Sequence, residues 1–338
     1  MGAIRGLDMS AVPRTTRSPL LLVGGADRET FTASGRPRRG GTTDLWQLLG
    51  ERARFDELHL DPRFLKQPGR PDFRPYRCVL NIITDPDQNK EVLIILRKLL
   101  REFPGRVLNH PDDVLKSTRD QVAARLAGIP GLRVPRTIRQ RGNKPKTIAS
   151  AVEQAGLRFP IIVRLAGTHM GHIVGVVGGM DELKAALIPD AQHILTEFVD
   201  FRSDDGLYRK YRVYFFGKRQ VFRHMILFDR WNIHVKDRYD FMCLKPPLMR
   251  EEIDMLERPE GAFAPAVHEV LQAVRARMTL DFFGMDFGIM PDGEVVLFEA
   301  NATMNYFPLD ERVAYIKRCL PPGQQAFRNM VLGALRPG

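Results

Sequence analysis

Cysteine is scarce: Cys78, Cys243 and Cys319 are far apart among 338 residues and form no CxxC pair. That spacing excludes a disulfide framework and a cysteine-based zinc site, and makes a reduced, cytoplasmic setting the expectation. No apolar stretch approaches the roughly 18–20 residues that span a bilayer. Residues 1–18 hold Arg5, Pro13, Arg14 and Arg17 but no apolar centre, so they read as a flexible tail and not as a secretory signal. Internal repeats, an RNP-like aromatic motif and a basic helix are all missing, so neither nucleic acid nor a membrane is expected as a partner. What is present is ordinary for a folded chain, with 44% hydrophobic and 27% charged residues. Lys and Arg number 51 against 40 Asp and Glu, a formal charge of +11. The basic residues are scattered, which fits small phosphorylated or acidic ligands better than a polyanion. The length suits two or three lobes sharing a cleft.

The order of elements is mixed α/β. Residues 19–25 (PLLLVGG) read as a buried first strand and 28–41 as a Gly/Arg/Ser/Thr-rich loop. A helix is expected over 45–52, a strand over 57–60, a proline-rich linker over 62–75 and a strand over 76–84. The stretch 89–103 reads as a helix, with Val92, Leu96, Leu99 and Phe103 on one face, and a short strand follows at 107–110. This first third reads as a small doubly wound lobe. Ligands of such lobes meet the carboxyl ends of strands, where Asn81 and Asp85 fall. One continuous helix is expected from Asp112 to Ala127, a basic loop over 139–146 and a short helix over 147–155. Strands are expected over 159–165, 173–177 and 194–199, helices over 181–187 and 264–278, and a hairpin over 211–226.

Residues 284–301 read GMDFGIMPDGEVVLFEAN, two strands around a strong turn signal. Folding symmetrically about Asp292-Gly293 sets Asp286 opposite Glu299, and period-two counting puts Glu299 and Asn301 on one face. Like charges opposed in a ladder are destabilising, and more so among apolar neighbours. A divalent cation between them removes the repulsion. The all-oxygen set Asp286, Glu299 and Asn301 suits Mg²⁺, which takes its remaining ligands from water and substrate phosphates. The alternative is a solvated hairpin with coincidental acids.

Arg164 ends an apolar strand just before Gly167-Thr168-His169-Met170-Gly171-His172. Glycines there let backbone N–H groups approach phosphate oxygens, and Arg164 adds a fixed cation. A plain hairpin turn is the other reading, and two histidines without a third ligand do not make a zinc site. Arg119 and Arg212 are further anion-binding candidates. Arg212 shares a strand face with Tyr214, and a solvated arginine is the alternative for each.

Together these segments resemble the ATP-grasp superfamily, over about residues 75–310 and in the right order. Residues 109–137, with Arg119 on the helix and Val134-Pro135-Arg136-Thr137 as the stop, resemble the family's opening segment. Phe159 to Arg164 is similar to its phosphate-binding "FPxxxK" strand. Glu197-Phe198-Val199 resembles the hinge that holds adenine by backbone and ribose by carboxylate. Asp286 with Glu299-Ala300-Asn301 resembles the D…ExN magnesium signature. Arginines stand at 119 and 164 where the family has lysines, and Gly284 stands where some ligases have an arginine, a charge that Arg212 would supply.

The resemblance implies an α/β ATP-grasp fold with an N-terminal lobe (19–112), a central lid (113–196) and a C-terminal magnesium-bearing domain (197–338). It implies ATP and Mg²⁺ (Mn²⁺ as a substitute), and a ligase that activates a carboxylate as an acylphosphate and joins it to an amine. In that reading Asp286, Glu299 and Asn301 hold the metal. Arg119, Arg164, Gly167, Thr168, His169 and Gly171 hold phosphates. Glu197, Phe198 and Val199 hold the nucleoside, and Arg212 with Arg164 acts on the transferring group. Asn81, Asp85, His224, Trp231, His234 and Asn305 are the candidate substrate residues, for an amino acid, a peptide or a specialised metabolite. A kinase-like phosphotransferase, a non-catalytic nucleotide-binding protein and a homodimer stay open.

Overall fold

A computed structural model describes residues 18–25, 43–66, 71–168, 173–307 and 311–336. The expected tail apart from Ser18, the 28–41 loop, and His169 and Gly171 lie outside these residues.

β1 (Leu20–Gly25), β2 (Asp56–Leu60), β3 (Cys78–Asn81) and β4 (Arg106–Leu108) form a parallel sheet in the order β2-β1-β3-β4. All six residues of β1 are buried, as a strand covered on both faces requires. Helix α1 (Lys90–Leu99) crosses from β3 to β4 and buries Val92, Leu93, Ile95 and Leu96. Residues 45–49 wind as a short 3-10 turn, not as the longer helix expected there.

The helix expected over 112–127 is two, α2 (Pro111–Leu115) and α3 (Arg119–Leu126). The hydroxyl of Ser117 donates to the Val114 carbonyl at 2.7 Å and Thr118 is extended, at φ −63° and ψ 153°. Both residue types favour caps over helix interiors, and the apolar repeat across them concealed the break. The break puts Arg119 in the first turn of a helix facing the cleft.

After a two-residue strand, β5 (Leu132–Arg133), comes an antiparallel sheet of β6 (Thr137–Arg141), β7 (Ile161–Leu165), β8 (Gly175–Val177) and β9 (Gln192–Glu197), in the order β6-β9-β7-β8. It carries α4 (Pro145–Ala155) and α5 (Met180–Ala186). The basic stretch 139–146 is therefore the end of β6 and the start of α4, with a turn between them. Pairing Thr137–Arg141 against β9 satisfies a backbone that a loop reading left open.

The third sheet is built from β10 (Tyr208–Phe216), β11 (Arg219–Phe228), β12 (Phe282–Ile289) and β13 (Val295–Asn301), with β5 added in parallel at its edge. Helices α6 (Pro246–Glu257) and α7 (Pro265–Arg277) intervene between β11 and β12, and α8 (Leu320–Leu335) closes the described chain.

Two cores hold these parts. One continuous apolar cluster joins the first and third sheets, including Val23, Leu80, Phe215, Phe283 and Phe327. A separate cluster of Ile148, Val152, Ile161, Val163, Leu183 and Leu195 belongs to the second sheet alone. A layer with its own core can move against the other two without unpacking theirs. The first and third layers are also fastened by polar contacts. Asn109, left-handed at φ 52°, donates from Nδ2 to the Phe282 carbonyl at 2.9 Å, and its backbone N–H donates to Asp281 Oδ2 at 2.7 Å. Asn81 supports the same junction by donating to the Asn109 carbonyl at 2.9 Å, and its Oδ1 accepts from the Ile83 N–H. Fully buried and so engaged, Asn81 is a structural residue and not the substrate contact expected of it.

Candidate active site

The hairpin of β12 and β13 sets Asp286 directly opposite Glu299. Just past that pair the register shifts, Phe287 meeting Leu297, so Phe298 is an extra residue. Such a bulge re-aims side chains, and here Leu297, Phe298 and Glu299 all line the cleft between the second and third sheets.

The two facing acids are compensated by cations of the chain itself. Arg212, Asp286's partner on β10, holds it with two bonds, Nε to Oδ1 at 2.5 Å and Nη2 to Oδ2 at 2.7 Å. Lys210 Nζ lies 2.9 Å from Oδ2. Arg119 pairs with Glu299 Oε2 and donates to the Phe298 carbonyl at 2.9 Å. Burial pushes both carboxyls up, but the cations more than offset it and hold both below the usual carboxylate range. A metal ion is thus not required to explain how this pair folds.

Arg212 reaches Asp286 from the neighbouring strand, and position 284 leaves little room for a side chain. A Cβ on Gly284 would lie 2.7 Å from Met304 Sδ and 3.1 Å from Tyr214 Cε1.

Arg164 lies on β7, across the cleft from the hairpin. Among the described residues its guanidinium has no hydrogen-bond or ion-pair partner. Burial, with Arg119 adding repulsion and Glu299 opposing it, pulls its pKa down to about 9. Arg119, Arg164, Lys210 and Arg212 are thus the cations grouped about the two facing carboxylates, Asp286 and Glu299.

The cleft holds two adjoining cavities. The larger, about 110 Å³, is lined by Arg164, Glu197 to Val199, Lys210, Trp231, Asp286 and Glu299, among others. The smaller, about 60 Å³, reaches from Arg119 and Glu299 to Asp85, Asp87 and Thr303 of the opposite loops. Thr168 borders both. Gly167, at φ +72°, turns the chain there, and its carbonyl accepts from Gln88.

Glu197, Phe198 and Val199, the segment expected to be the hinge, line the larger cavity. The Glu197 carboxylate, however, accepts from the backbone N–H of Arg158 at 2.9 Å and its Nε at 3.2 Å, with Arg136 at 3.7 Å. These contacts use Oε1 alone, and Oε2 has no partner among the described residues. Asn301 is also committed, its Oδ1 accepting from the N–H groups of Thr303 at 2.9 Å and Met304 at 3.1 Å. The side chain closes a turn while the residue lines the smaller cavity together with Glu299.

Of the candidate substrate residues, Asp85 lines the smaller cavity while its Oδ1 caps the N–H groups of Asp87 and Gln88. His224 faces Arg212 in register, buried among Arg212, Arg238, Arg223 and Lys210, and burial with their charge keeps it neutral, its pKa well below the ordinary value. Trp231 lines the larger cavity. His234 sits in a turn, its N–H donating to Asp237 at 2.5 Å, and Asn305 is exposed, its carbonyl accepting from Tyr214. Neither borders either cavity.

Lys210 and Phe298 were missed in the sequence. Lys210 sits two residues before Arg212 on the same strand face, a signal that was readable. Phe298 reaches the cleft only because of the bulge.

A divalent cation fits the donor set in part. Glu299 Oε1 has no partner among the described residues, and Asp286 retains lone-pair capacity beside its three bonds. No group of three or more His, Cys, Asp or Glu side chains able to hold a metal occurs among the described residues. The two carboxylates match an ion that completes its shell from substrate phosphates, as Mg²⁺ does.

No protein-family model and no curated protein sequence matches the chain. Solved structures are similar to it. D-alanyl-alanine synthetase A from Vibrio cholerae superposes with a TM-score of 0.55 at 13% identity, covering 95% of this chain and 99% of that one. D-alanine–D-alanine ligase from Bacillus anthracis, complexed with ATP, gives 0.51 at 9%, covering 94% and 96%. The ATP-grasp ligase PsnB, complexed with precursor peptide PsnA2 and AMPPNP, gives 0.51 at 12%, covering 94% and 98%. These likenesses establish the fold of this chain as the ATP-grasp fold.

Proposed function

We propose that this chain, built on the ATP-grasp fold, is an ATP-dependent ligase that activates a carboxylate as an acylphosphate and joins it to an amine. The observation that carries the reading is Arg164. Its guanidinium stands in the cleft wall with no partner among the described residues, ready for an anion, and it faces a carboxylate pair already ringed by cations. A nucleoside triphosphate supplies the anion for Arg164, and its divalent ion comes to the carboxylate pair. The structural neighbours solved with ATP or AMPPNP agree with that ligand.

In this reading Asp286 and Glu299 hold Mg²⁺, whose chemistry when bound is to draw negative charge off the phosphates. Arg164 and Arg119 bind phosphate oxygens, and the backbone at Glu197 and Val199 holds the base. The substrate carboxylate attacks the γ-phosphorus and ADP leaves. The amine then attacks the acyl carbon, phosphate leaves with the carboxylate oxygen that attacked, and the amine gives up a proton. Arg212, fixed by Asp286, is placed to stabilise charge that develops on the transferring group and the tetrahedral adduct. The lid, with its separate core, closes and keeps water from the acylphosphate. Amino acids or peptides are the acid substrates proposed. Neighbours include a ligase solved with a precursor peptide, which supports the peptide alternative.

Product analysis tests this. With ATP, Mg²⁺ and a mixture of amino acids, ADP and free phosphate appear together only when both an acid and an amine are supplied. ADP formed with a phosphorylated acceptor and no free phosphate makes the protein a kinase, and nucleotide binding without turnover makes it a non-catalytic binder.

A further inference from the structure

The segment between β11 and α6 returns over the cleft and carries Trp231, Asn232 and Ile233 into the lining of the larger cavity. The Trp231 ring meets Phe198 of the hinge edge-on, with centroids 5.4 Å apart and planes at 74°. Phe198, Phe298 and Phe201 line the same cavity, and the last two rings lie 4.5 Å apart. Ile162, Val199 and Leu297 complete an apolar enclosure around the hinge. The charged side chains of the same lining are Arg119, Arg164 and Lys210 with Glu197, Asp286 and Glu299.

The tryptophan is also fixed in place. Lys210 Nζ donates to the Ile233 carbonyl at 3.4 Å while it lies 2.9 Å from Asp286. Asp237, buried, accepts from the His234 N–H at 2.5 Å and closes the turn beyond it. One lysine thus ties the tryptophan segment to the carboxylate that faces Glu299.

We propose that Trp231 is a wall of the nucleobase pocket, and that with Phe198 it selects the nucleotide by the stacking area of its base. This rests on the nucleotide reading above and moves Trp231 from the candidate substrate residues to the base pocket. In an edge-to-face pair one ring does not stack on the other, and an aromatic face left in the cavity lining rewards a flat bicyclic base over a monocyclic one. Backbone groups of the hinge read the base edge. The tryptophan reads its size, so purine over pyrimidine preference belongs to Trp231.

The chain has two tryptophans, and Trp46 packs against Phe55 in the first layer, with centroids 6.2 Å apart. Trp46→Phe therefore leaves Trp231 as the only indole. The probes are AMPPNP, a non-hydrolysable CTP analogue and inorganic tripolyphosphate, each with Mg²⁺. In the Trp46→Phe protein, AMPPNP should change the Trp231 emission saturably and tripolyphosphate should change it little. In calorimetry, Trp231→Ala should weaken AMPPNP about tenfold, weaken the CTP analogue less and leave tripolyphosphate unchanged. Trp231→Phe should recover most of the loss. Unchanged AMPPNP affinity in Trp231→Ala, or equal weakening of tripolyphosphate, overturns the assignment while the nucleotide reading stands. No binding of AMPPNP or tripolyphosphate by the wild type overturns both.

Discussion

Arg212 and Asp286 are cross-strand partners on β10 and β12, joined by two bonds of 2.5 and 2.7 Å in a wall where Asp286 is 1% exposed. The pair holds a planar cation at one fixed angle beside the cavity. Arg212→Lys keeps the charge and loses the fork. Turnover should fall about a hundredfold, with AMPPNP affinity within about threefold of wild type. Single-turnover ADP formation and calorimetry check this, and an equal loss in both would make Arg212 a binding residue only.

Arg164 gives a prediction of opposite signs. Its charged form is disfavoured by burial, its pKa drawn down to about 9, so removing it relieves the free protein. Arg164→Met should raise stability without nucleotide by about 1 kcal/mol. It should weaken AMPPNP by about tenfold to a hundredfold. Urea unfolding and calorimetry measure both. A destabilised variant that binds nucleotide normally would remove Arg164 from the phosphate site.

Glu299→Gln keeps the side-chain shape and the room for Arg119 but removes the charge that faces Asp286. Turnover should be lost by more than about a hundredfold, and half-saturation by Mg²⁺ should move upward, while circular dichroism stays that of the wild type. Full activity would exclude Glu299 from the metal site.

Asp44 sets a pH dependence. It accepts from the N–H groups of Tyr306 at 2.6 Å and Phe307 at 2.8 Å, yet burial lifts its carboxyl to about 6 from an ordinary 3.8. An acid whose folded pKa is raised stabilises fully below the unfolded value and loses that contribution as pH climbs through the folded one. Stability should therefore fall between about pH 4 and 6, by up to about 3 kcal/mol from this group. Urea unfolding across that range should show a shallower fall in Asp44→Asn, and parallel curves would contradict the assignment.

Arg139 of β6 fastens the lid, lying 2.8 Å from Asp87 and 2.9 Å from Asp120. These partly exposed pairs contribute modestly, so Arg139→Gln should speed amide exchange in β6 and β9 by about tenfold or less. Exchange in β1 and β3 should be unchanged. Uniform loss of protection would mean that Arg139 supports the whole fold and not the lid alone.

The sequence was most legible where a local rule acts alone. A turn signal and period-two counting set Asp286 against Glu299, and alternation put Arg212 beside Tyr214. Legibility failed where a tertiary contact decides. The Ser117 hydroxyl splits an apolar repeat that counts as one helix. Arg158 engages one oxygen of Glu197, and Thr303 and Met304 close a turn on the Asn301 amide, contacts that the motif spacing does not show. The physical premise also changed. The acid pair is offset by Lys210, Arg212 and Arg119, so its presence argues for an anion-ready cation ring as much as for a metal.

The most direct test follows the attacking oxygen. The protein is incubated with ATP, Mg²⁺ and amino acids or peptides labelled with ¹⁸O in their carboxylates, and the released phosphate is analysed by mass spectrometry. If a carboxylate is activated at this site, each phosphate carries one ¹⁸O. Released phosphate without label would contradict the acylphosphate account, because its fourth oxygen would then have come from water.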